Sequence, residues 1–221
     1  TCCHTAPMRG MHQGTVQVEV RDDQIDGPHG PVPIRRYRPV DPSTSTGART
    51  LVWVHGGGFF RGDLELPESD AVARALAERG LPVVTVGYRL GPLPGLPWLG
   101  RGGPRGRRRA PHARDEIVAV LHHLQDEAPS GLLLGGASAG ACLAASAVAT
   151  APALVGLVLT YGFFHARLPR DPAVRRLVRG HRRLTHAPLL LDLSNRAYAG
   201  GRPTAVYPAP DDLGGFPHTL V

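Results

Sequence analysis

The stretch LLLGGASAG, residues 132–140, joins a short apolar run to a turn of small residues around one serine. It lies within a segment, residues 128–166, that contains no Asp, Glu, Lys or Arg. An apolar run longer than about 18 residues is typical of a membrane span. Here, however, glycines and Pro152 interrupt the run, and its periodicity changes from strand to helix and back to strand. That pattern predicts the buried core of a parallel sheet, and we expect no membrane span.

The residues on both sides of this stretch alternate between apolar strands and amphipathic helices. Strands are predicted at residues 15–21, 32–38, 49–54, 81–90, 131–134 and 154–160, and helices at 67–80, 113–128 and 139–150. Most of these strands are almost continuously apolar, which indicates an α/β fold with a mostly parallel sheet flanked by helices. Residues 163–200 are more polar and helical. We therefore expect one domain over residues 1–221, with a helical cap segment at 163–200.

The composition is that of an ordinary globular chain, with 42% hydrophobic and 19% charged residues among 221. The formal charge is +7, and all 25 basic residues are arginines. Six of them lie in RGGPRGRRRAPHAR, which begins at Arg101 and ends at Arg114. No aromatic residue is interleaved there to stack on bases, so a nucleic-acid partner is the weaker alternative.

The cysteines Cys2, Cys3 and Cys142 are odd in number and have no regular spacing, which fits a reducing compartment and a cytoplasmic location. Cys2 and Cys3 lie near His4 and His12, but this group lacks a recognised metal-ligand spacing. We expect neither a metal nor another cofactor.

The serine turn has the pattern G-x-S-x-G, formed by Gly136, Ser138 and Gly140. A serine on a tight turn from strand to helix projects its hydroxyl above the sheet, and a Cβ two residues before or after it would collide with the turn. The helix that follows places the Ala139 N–H beside that hydroxyl. A plain Gly/Ala-rich turn in a buried layer is the alternative interpretation of this pentapeptide alone.

A second glycine-rich stretch, HGGGFFRGD at residues 55–63, directly follows the predicted strand 49–54. Three glycines there allow main-chain N–H groups to point into a cleft, as a tetrahedral oxyanion requires. A phosphate-binding loop is disfavoured, because neither G-x-G-x-x-G nor G-K-[ST] is present. Each motif is weak alone, but together, at the carboxyl ends of two strands, they strongly indicate nucleophilic chemistry at Ser138.

These motifs, with VVTVGYRLGP and the cap-like stretch GHRRLTHAPLLLDLSNRAYAGG, resemble the hormone-sensitive-lipase-like branch of the α/β-hydrolase superfamily, the bacterial carboxylesterases. The resemblance runs from about residue 16 onward. It implies that Ser138 is the nucleophile and that the N–H groups of Gly57, Gly58 and Ala139 form the oxyanion hole. His55 would then hold the glycine loop structurally, supported by Gly56. The implied activity is hydrolysis of short-to-medium acyl esters through an acyl-enzyme, with a small-molecule ester as partner.

The sequence departs from the family pattern at three places. Ala137 stands where the family often has Asp, which is a tolerable change. Residues 91–111 are longer and richer in arginine than the family's segment, so either a surface insertion or a locally shifted reading frame would explain them.

The third departure concerns the catalytic acid and base, which the family places beyond the strand that PHTLV begins. We expect them beyond Val221, which would make the chain a partial domain without its final strands and nearly inactive by itself. An unpaired sheet edge would also favour a homo-oligomer. Asp211, Asp212, His165, His181, His186 and His218 are expected to be solvated or capping residues. A non-catalytic small-molecule-binding protein on the same fold is the alternative function.

Overall fold

The computed structural model describes residues 16–45, 47–100, 102, 105–167, 171–177, 188–201, 206–207 and 214–221, and these build one seven-stranded sheet. Its strands are β1 (Val18–Gly27), β2 (Gly30–Pro39), β3 (Thr50–Val54), β4 (Val83–Val86), β5 (Leu132–Ala137), β6 (Leu154–Thr160) and β7 (Thr219–Leu220). Their order is β1-β2-β4-β3-β5-β6-β7. The pairs β1–β2 and β2–β4 are antiparallel and the others are parallel, so the predicted mostly parallel α/β sheet is confirmed.

The position of each strand follows from its pattern of apolar residues. All four residues of β4, and four of the five in β3, are buried, because these central strands are covered on both faces. Along β1, by contrast, only Ile25 is fully buried, and partly buried and exposed positions largely alternate, as expected of an antiparallel strand at a sheet edge.

Helices pack on both faces of the sheet. They are α1 (Pro67–Ala77), α2 (His112–Gln125), α3 (Ala139–Ala147), α4 (Pro172–Leu177) and α5 (Pro188–Ala199). Leu51 and Trp53 of β3 join a core with α1, whereas Val52 and Val54 point to the other face and join the core of α2 and α3. Among the described residues, no helix combines the length and the apolarity that crossing a membrane would require.

The helix ends follow the local sequence. Pro67 opens α1, where its missing N–H costs nothing. Beyond α1 and α5 lie Gly80 and Gly200, with φ angles of +89° and +60° that favour glycine. The predicted cap segment 163–200 contains α4 and α5, and its division from the rest of the domain stays a prediction.

Glu116 is a carboxylate on the buried face of α2. Its Oε2 accepts the backbone N–H of Arg89 at 2.6 Å, and its Oε1 lies 3.4 Å from the Arg89 guanidinium. Both side chains are almost completely buried. This pair ties the chain after β4 to α2, because a buried charge is tolerated only with a partner.

The described part of the arginine-rich segment lies against the domain through backbone carbonyls. Arg105 donates to the carbonyls of Pro31 and Gly87, each at 2.7 Å. Arg107 donates to the carbonyl oxygens of Phe60 and Gly91. These guanidinium groups therefore hold the segment next to the glycine loop.

Leu121 provides a test of the core, because its side chain in α2 is fully buried. Leu121→Ala should lower the free energy of unfolding by about 2–5 kcal/mol through lost burial and a residual cavity. Leu189→Ala is the matched control, since that leucine of α5 is 70% exposed and should lose less than about 0.5 kcal/mol. Urea unfolding measures both changes, and equal losses would contradict the assigned core.

Candidate active site

The glycine loop and the serine turn meet because β3 and β5 are parallel neighbours. In their register Val54 lies opposite Gly136, so the chain leaves both strands at the same edge of the sheet. The approach is close: a Cβ added to Gly140 would lie 2.1 Å from the carbonyl oxygen of Val54. A Cβ added to Gly56 would lie 3.1 Å from the Cβ of Ser138. Glycine at these positions is therefore required for space.

Ser138 occupies the sharp turn between β5 and α3. Its φ of 54° and ψ of −117° are strained for a residue with a side chain. Its N–H donates to the carbonyl of Thr160 at 2.9 Å, and its own carbonyl accepts from Ala141 at 3.1 Å. Ser138 is half-buried between fully buried neighbours. The turn thus presents the hydroxyl at the edge of the sheet, at the N-terminus of a helix.

Three backbone N–H groups lie around this turn as possible donors. Ala139 is the first residue of α3, so its N–H has no acceptor within the helix. Gly57 and Gly58 have φ angles of 104° and 62°, a conformation that glycine adopts without strain. Within the described residues, neither of their N–H groups donates to another protein atom. These are the three groups that the family resemblance implies for an oxyanion hole.

His55 is completely buried beneath the glycine loop. Its Nδ1 lies 2.8 Å from the carbonyl oxygen of Gly56, and its ring stacks on Tyr88 with centroids 4.3 Å apart. The Tyr88 hydroxyl donates to the carbonyls of His55 and Gly56, at 3.0 and 3.2 Å. The Nδ1 contact requires the proton on Nδ1. Burial lowers the pKa of His55, which keeps the ring neutral.

Two side chains beside Ser138 were not singled out from the sequence. The hydroxyl of Tyr161, the residue after β6, donates to Oε2 of Glu68 at 2.6 Å. A Cβ added to Gly56 would lie 2.6 Å from Oε1 of the same carboxylate. Glu68 lies in the first turn of α1, so only the helix's packing against the sheet brings it to the serine.

Cys142 lies one turn after Ser138, with its thiol against the backbone. Its Sγ is 2.7 Å from the carbonyl oxygen of Phe163 and 3.4 Å from that of Ser138. Burial raises the pKa of this thiol to about 12. The thiol is therefore inert at neutral pH and packs as a small apolar group.

Of the other histidines and acids considered from the sequence, two lie among the described residues. His165 and His218 are exposed, and their carbonyl oxygens accept from Asn195 and Leu157. The structure's described residues contain no group of three His, Cys, Asp or Glu side chains that could bind a metal. The remaining candidates, Asp211, Asp212, His181, His186 and the group Cys2, Cys3, His4 and His12, lie outside the described residues.

The close approach of α3 to β3 can be tested with two glycines. Gly140→Ala should lower the free energy of unfolding by about 3 kcal/mol or more, because its Cβ would overlap backbone atoms of Val54 and His55. Gly214→Ala is the control, since no atom lies within 4 Å of its added Cβ. The free energy of unfolding of Gly214→Ala should fall by no more than about 0.5 kcal/mol. Similar urea midpoints for both variants would contradict this packing.

The lowered pKa of His55 predicts that the stability of the folded chain depends on pH. Because its pKa in the folded chain is depressed below 6.5, the unfolded chain binds a proton more readily. Its stabilising contribution is therefore present above about pH 6.5 and is lost as the pH falls towards the folded pKa. His112, whose pKa burial also lowers, contributes with the same sign.

We therefore expect Tm to fall between about pH 7.5 and pH 5, and to fall less in His55→Gln than in the wild type. His122→Gln is the control, because His122 is exposed on α2 and should leave the wild-type difference intact. Thermal unfolding followed by circular dichroism at both pH values gives the comparison. An undiminished difference in His55→Gln would exclude His55 as its source.

Comparisons with known proteins agree with this arrangement, although no protein-family model matches the chain. Over 140 residues the chain is 34% identical to the carboxylic ester hydrolase LipN of Mycobacterium tuberculosis, covering 59% of this chain and 32% of LipN. The aligned part thus spans about a third of that relative.

Solved esterase structures superpose on most of the chain. A hyperthermophilic esterase from the archaeon Pyrobaculum calidifontis superposes with a TM-score of 0.72 at 26% identity, covering 95% of this chain and 66% of that one. Brefeldin A esterase, described as a bacterial homologue of human hormone-sensitive lipase, gives a TM-score of 0.69 at 20% identity and covers 99% and 62%. At that identity the likeness shows the fold alone. The chain therefore has the α/β-hydrolase fold, and it is similar in sequence and structure to carboxylic ester hydrolases and esterases.

Proposed function

We propose that this protein is a carboxylic ester hydrolase in which Ser138 is the nucleophile. The observation that carries the proposal is the position of Ser138, on a strained turn at a helix N-terminus and directly against the glycine loop. Strained backbone of this kind persists where the surrounding structure imposes it, and it clusters at functional sites. The names of the relatives, ester hydrolases and esterases, support the same activity.

The reaction proceeds in two halves. The Ser138 Oγ attacks the acyl carbon, the bond to the alcohol oxygen breaks, and the alcohol leaves with a proton. Water then attacks the acyl-enzyme and releases the carboxylic acid, which restores the serine hydroxyl. In both halves the N–H groups of Gly57, Gly58 and Ala139 donate to the oxyanion, and the N-terminus of α3 adds a favourable field.

His55 serves as a positioning residue in this mechanism. Its neutral ring, wedged between Tyr88 and the loop, fixes the carbonyl of Gly56 and therefore the direction of the peptide groups that follow. It is not placed to act as the base, because its Nε2 is buried and has no hydrogen-bond partner among the described residues, Ser138 included. Within the described chain, no histidine side chain hydrogen-bonds the Ser138 hydroxyl.

An apolar wall beside the glycine loop supports short-to-medium acyl esters as substrates. The ring of Phe59, the residue after Gly58, stacks on Tyr198 of α5 at 4.4 Å and meets Phe163 edge-on at 5.7 Å. Phe59 itself has a φ of 70° and is 1% exposed. The three rings are buried and pack together beside the glycine loop, which makes the surroundings of the donors apolar, as suits a hydrocarbon acyl chain.

A cytoplasmic location completes the proposal. Cys142 is unpaired and buried, and the odd number of cysteines fits a reducing compartment. Subcellular fractionation with an antibody to this protein checks it, and recovery in an oxidising compartment would contradict it.

The nucleophile is tested with a fluorophosphonate probe on the full-length protein. Wild type should become labelled, and Ser138→Ala should lose at least about 99% of the labelling because the attacking oxygen is gone. Ser146→Ala is the matched control, since Ser146 lies on α3 and donates only to the carbonyl of Leu143. Equal labelling of the Ser138→Ala variant would overturn the assignment. Unlabelled wild type would favour a binding protein on the same fold.

A further inference from the structure

The carboxylate of Glu68 is a charged group at the proposed site that the mechanism does not use. A Cβ on Gly56 would lie 2.6 Å from the Oε1 of Glu68 and 3.1 Å from the Cβ of Ser138. Glycine at position 56 thus leaves the space in which the carboxylate approaches the serine. Gly56 has no unusual φ, so the requirement at this position is one of space.

Tyr161 fixes this carboxylate in place. Its hydroxyl donates to Oε2 of Glu68, while the preceding residue, Thr160, accepts the N–H of Ser138. Tyr161 has a φ of 39°, a strained value for a tyrosine, and its side chain reaches across the site from β6 to α1. Although Tyr161 is 69% exposed, partial burial and the neighbouring Glu68 carboxylate raise its pKa to about 12, so the phenol remains a donor at neutral pH.

The charge of Glu68 is not neutralised by a basic side chain among the described residues. Its only polar side-chain partner there is the Tyr161 hydroxyl, and no described group donates to Oε1. Arg61, the basic residue of the glycine loop, is exposed and does not pair with it. The electrostatic field of the Glu68 carboxylate extends into the site. It partly offsets the burial that lowers the pKa of His55, and together with burial it raises the pKa of Tyr88.

The other acidic groups on this segment are exposed or paired. Asp63 is exposed and accepts the N–H of Glu65, and Glu65 is paired with Arg35. Asp70 accepts from Tyr37 and Arg74 on the far side of α1. Glu68 is therefore the carboxylate whose charge bears directly on a substrate bound at Ser138, in a half-buried place where solvent screens it less than at the surface.

We propose that Glu68 determines substrate specificity by charge: the site prefers esters that carry an ammonium group near the ester bond over neutral isosteres, and disfavours anionic ones. This inference rests on the proposed ester hydrolysis at Ser138. It adds the class of substrate, which the sequence motifs do not indicate.

Two esters of the same shape test the preference on the full-length protein. One is the 2-(trimethylammonio)ethyl ester of butyric acid and the other its neutral 3,3-dimethylbutyl counterpart. We expect kcat/KM of the wild type to favour the cationic ester about five- to tenfold, an order of magnitude typical of a partly screened charge pair. In Glu68→Gln the ratio should fall to about one. Because the readout is a ratio within one variant, a general loss of activity does not affect it.

Glu65→Gln provides the control, since it removes a carboxylate from the same segment whose side chain is 72% exposed and paired with Arg35. It should keep the wild-type ratio. A second measurement needs no variant: raising NaCl from about 0.05 to 0.5 M should lower the wild-type ratio, since salt screens an attraction between charges.

The outcomes separate the two proposals. If the wild type hydrolyses neither ester, the proposed function is wrong and this inference with it. If it hydrolyses both with a ratio near one, or if Glu68→Gln keeps the wild-type ratio, Glu68 does not determine specificity while the esterase function stands. If Glu68→Gln does not fold, the salt experiment decides, and a ratio that does not change with salt overturns the inference.

Discussion

The parallel pairing of β3 with β5 is the constraint on which the proposed site depends. Val54 lies opposite Gly136 in this register, so a glycine loop and a serine turn that are about 80 residues apart in sequence leave the sheet side by side. A register shift of one residue would send each strand's side chains to the opposite face. The two separate cores on the faces of β3 prevent that shift, because Leu51 and Trp53 belong to one and Val52 and Val54 to the other.

Close backbone contact carries a conformational cost that is concentrated at this edge of the sheet. The described residues other than glycine with positive φ are Phe59, Ser138 and Tyr161, and all three follow strands β3, β5 and β6 at their carboxyl ends. Packing holds each of them: Phe59 lies among aromatic rings, Ser138 donates to Thr160, and Tyr161 donates to Glu68. The sheet therefore stabilises strained conformations where the chemistry is proposed.

Much of this arrangement could be predicted from the sequence because its signals are local. Apolar runs marked β3 to β6, and the face of α2 with Ile117, Val120, Leu121 and Leu124 is buried as its spacing predicted. Glu116 on that same face could not be anticipated, because its partner, Arg89, comes from another part of the chain. The antiparallel pairing of β2 with β4 was likewise not predicted, since the direction of pairing is a property of two strands and not of either alone.

What the sequence by itself determined is the fold, and it singled out the serine at which the chemistry is proposed. Glycines at fixed spacings around Ser138, and after the strand that ends at Val54, are required by sterics, and such requirements are visible in the chain. Only the tertiary structure decided what surrounds the serine. Glu68 and Tyr161 carry no motif, and they meet beside Ser138 because α1 and the end of β6 are packed against the same edge of the sheet. Contacts between distant segments depend on packing in three dimensions, which no local pattern of residues specifies.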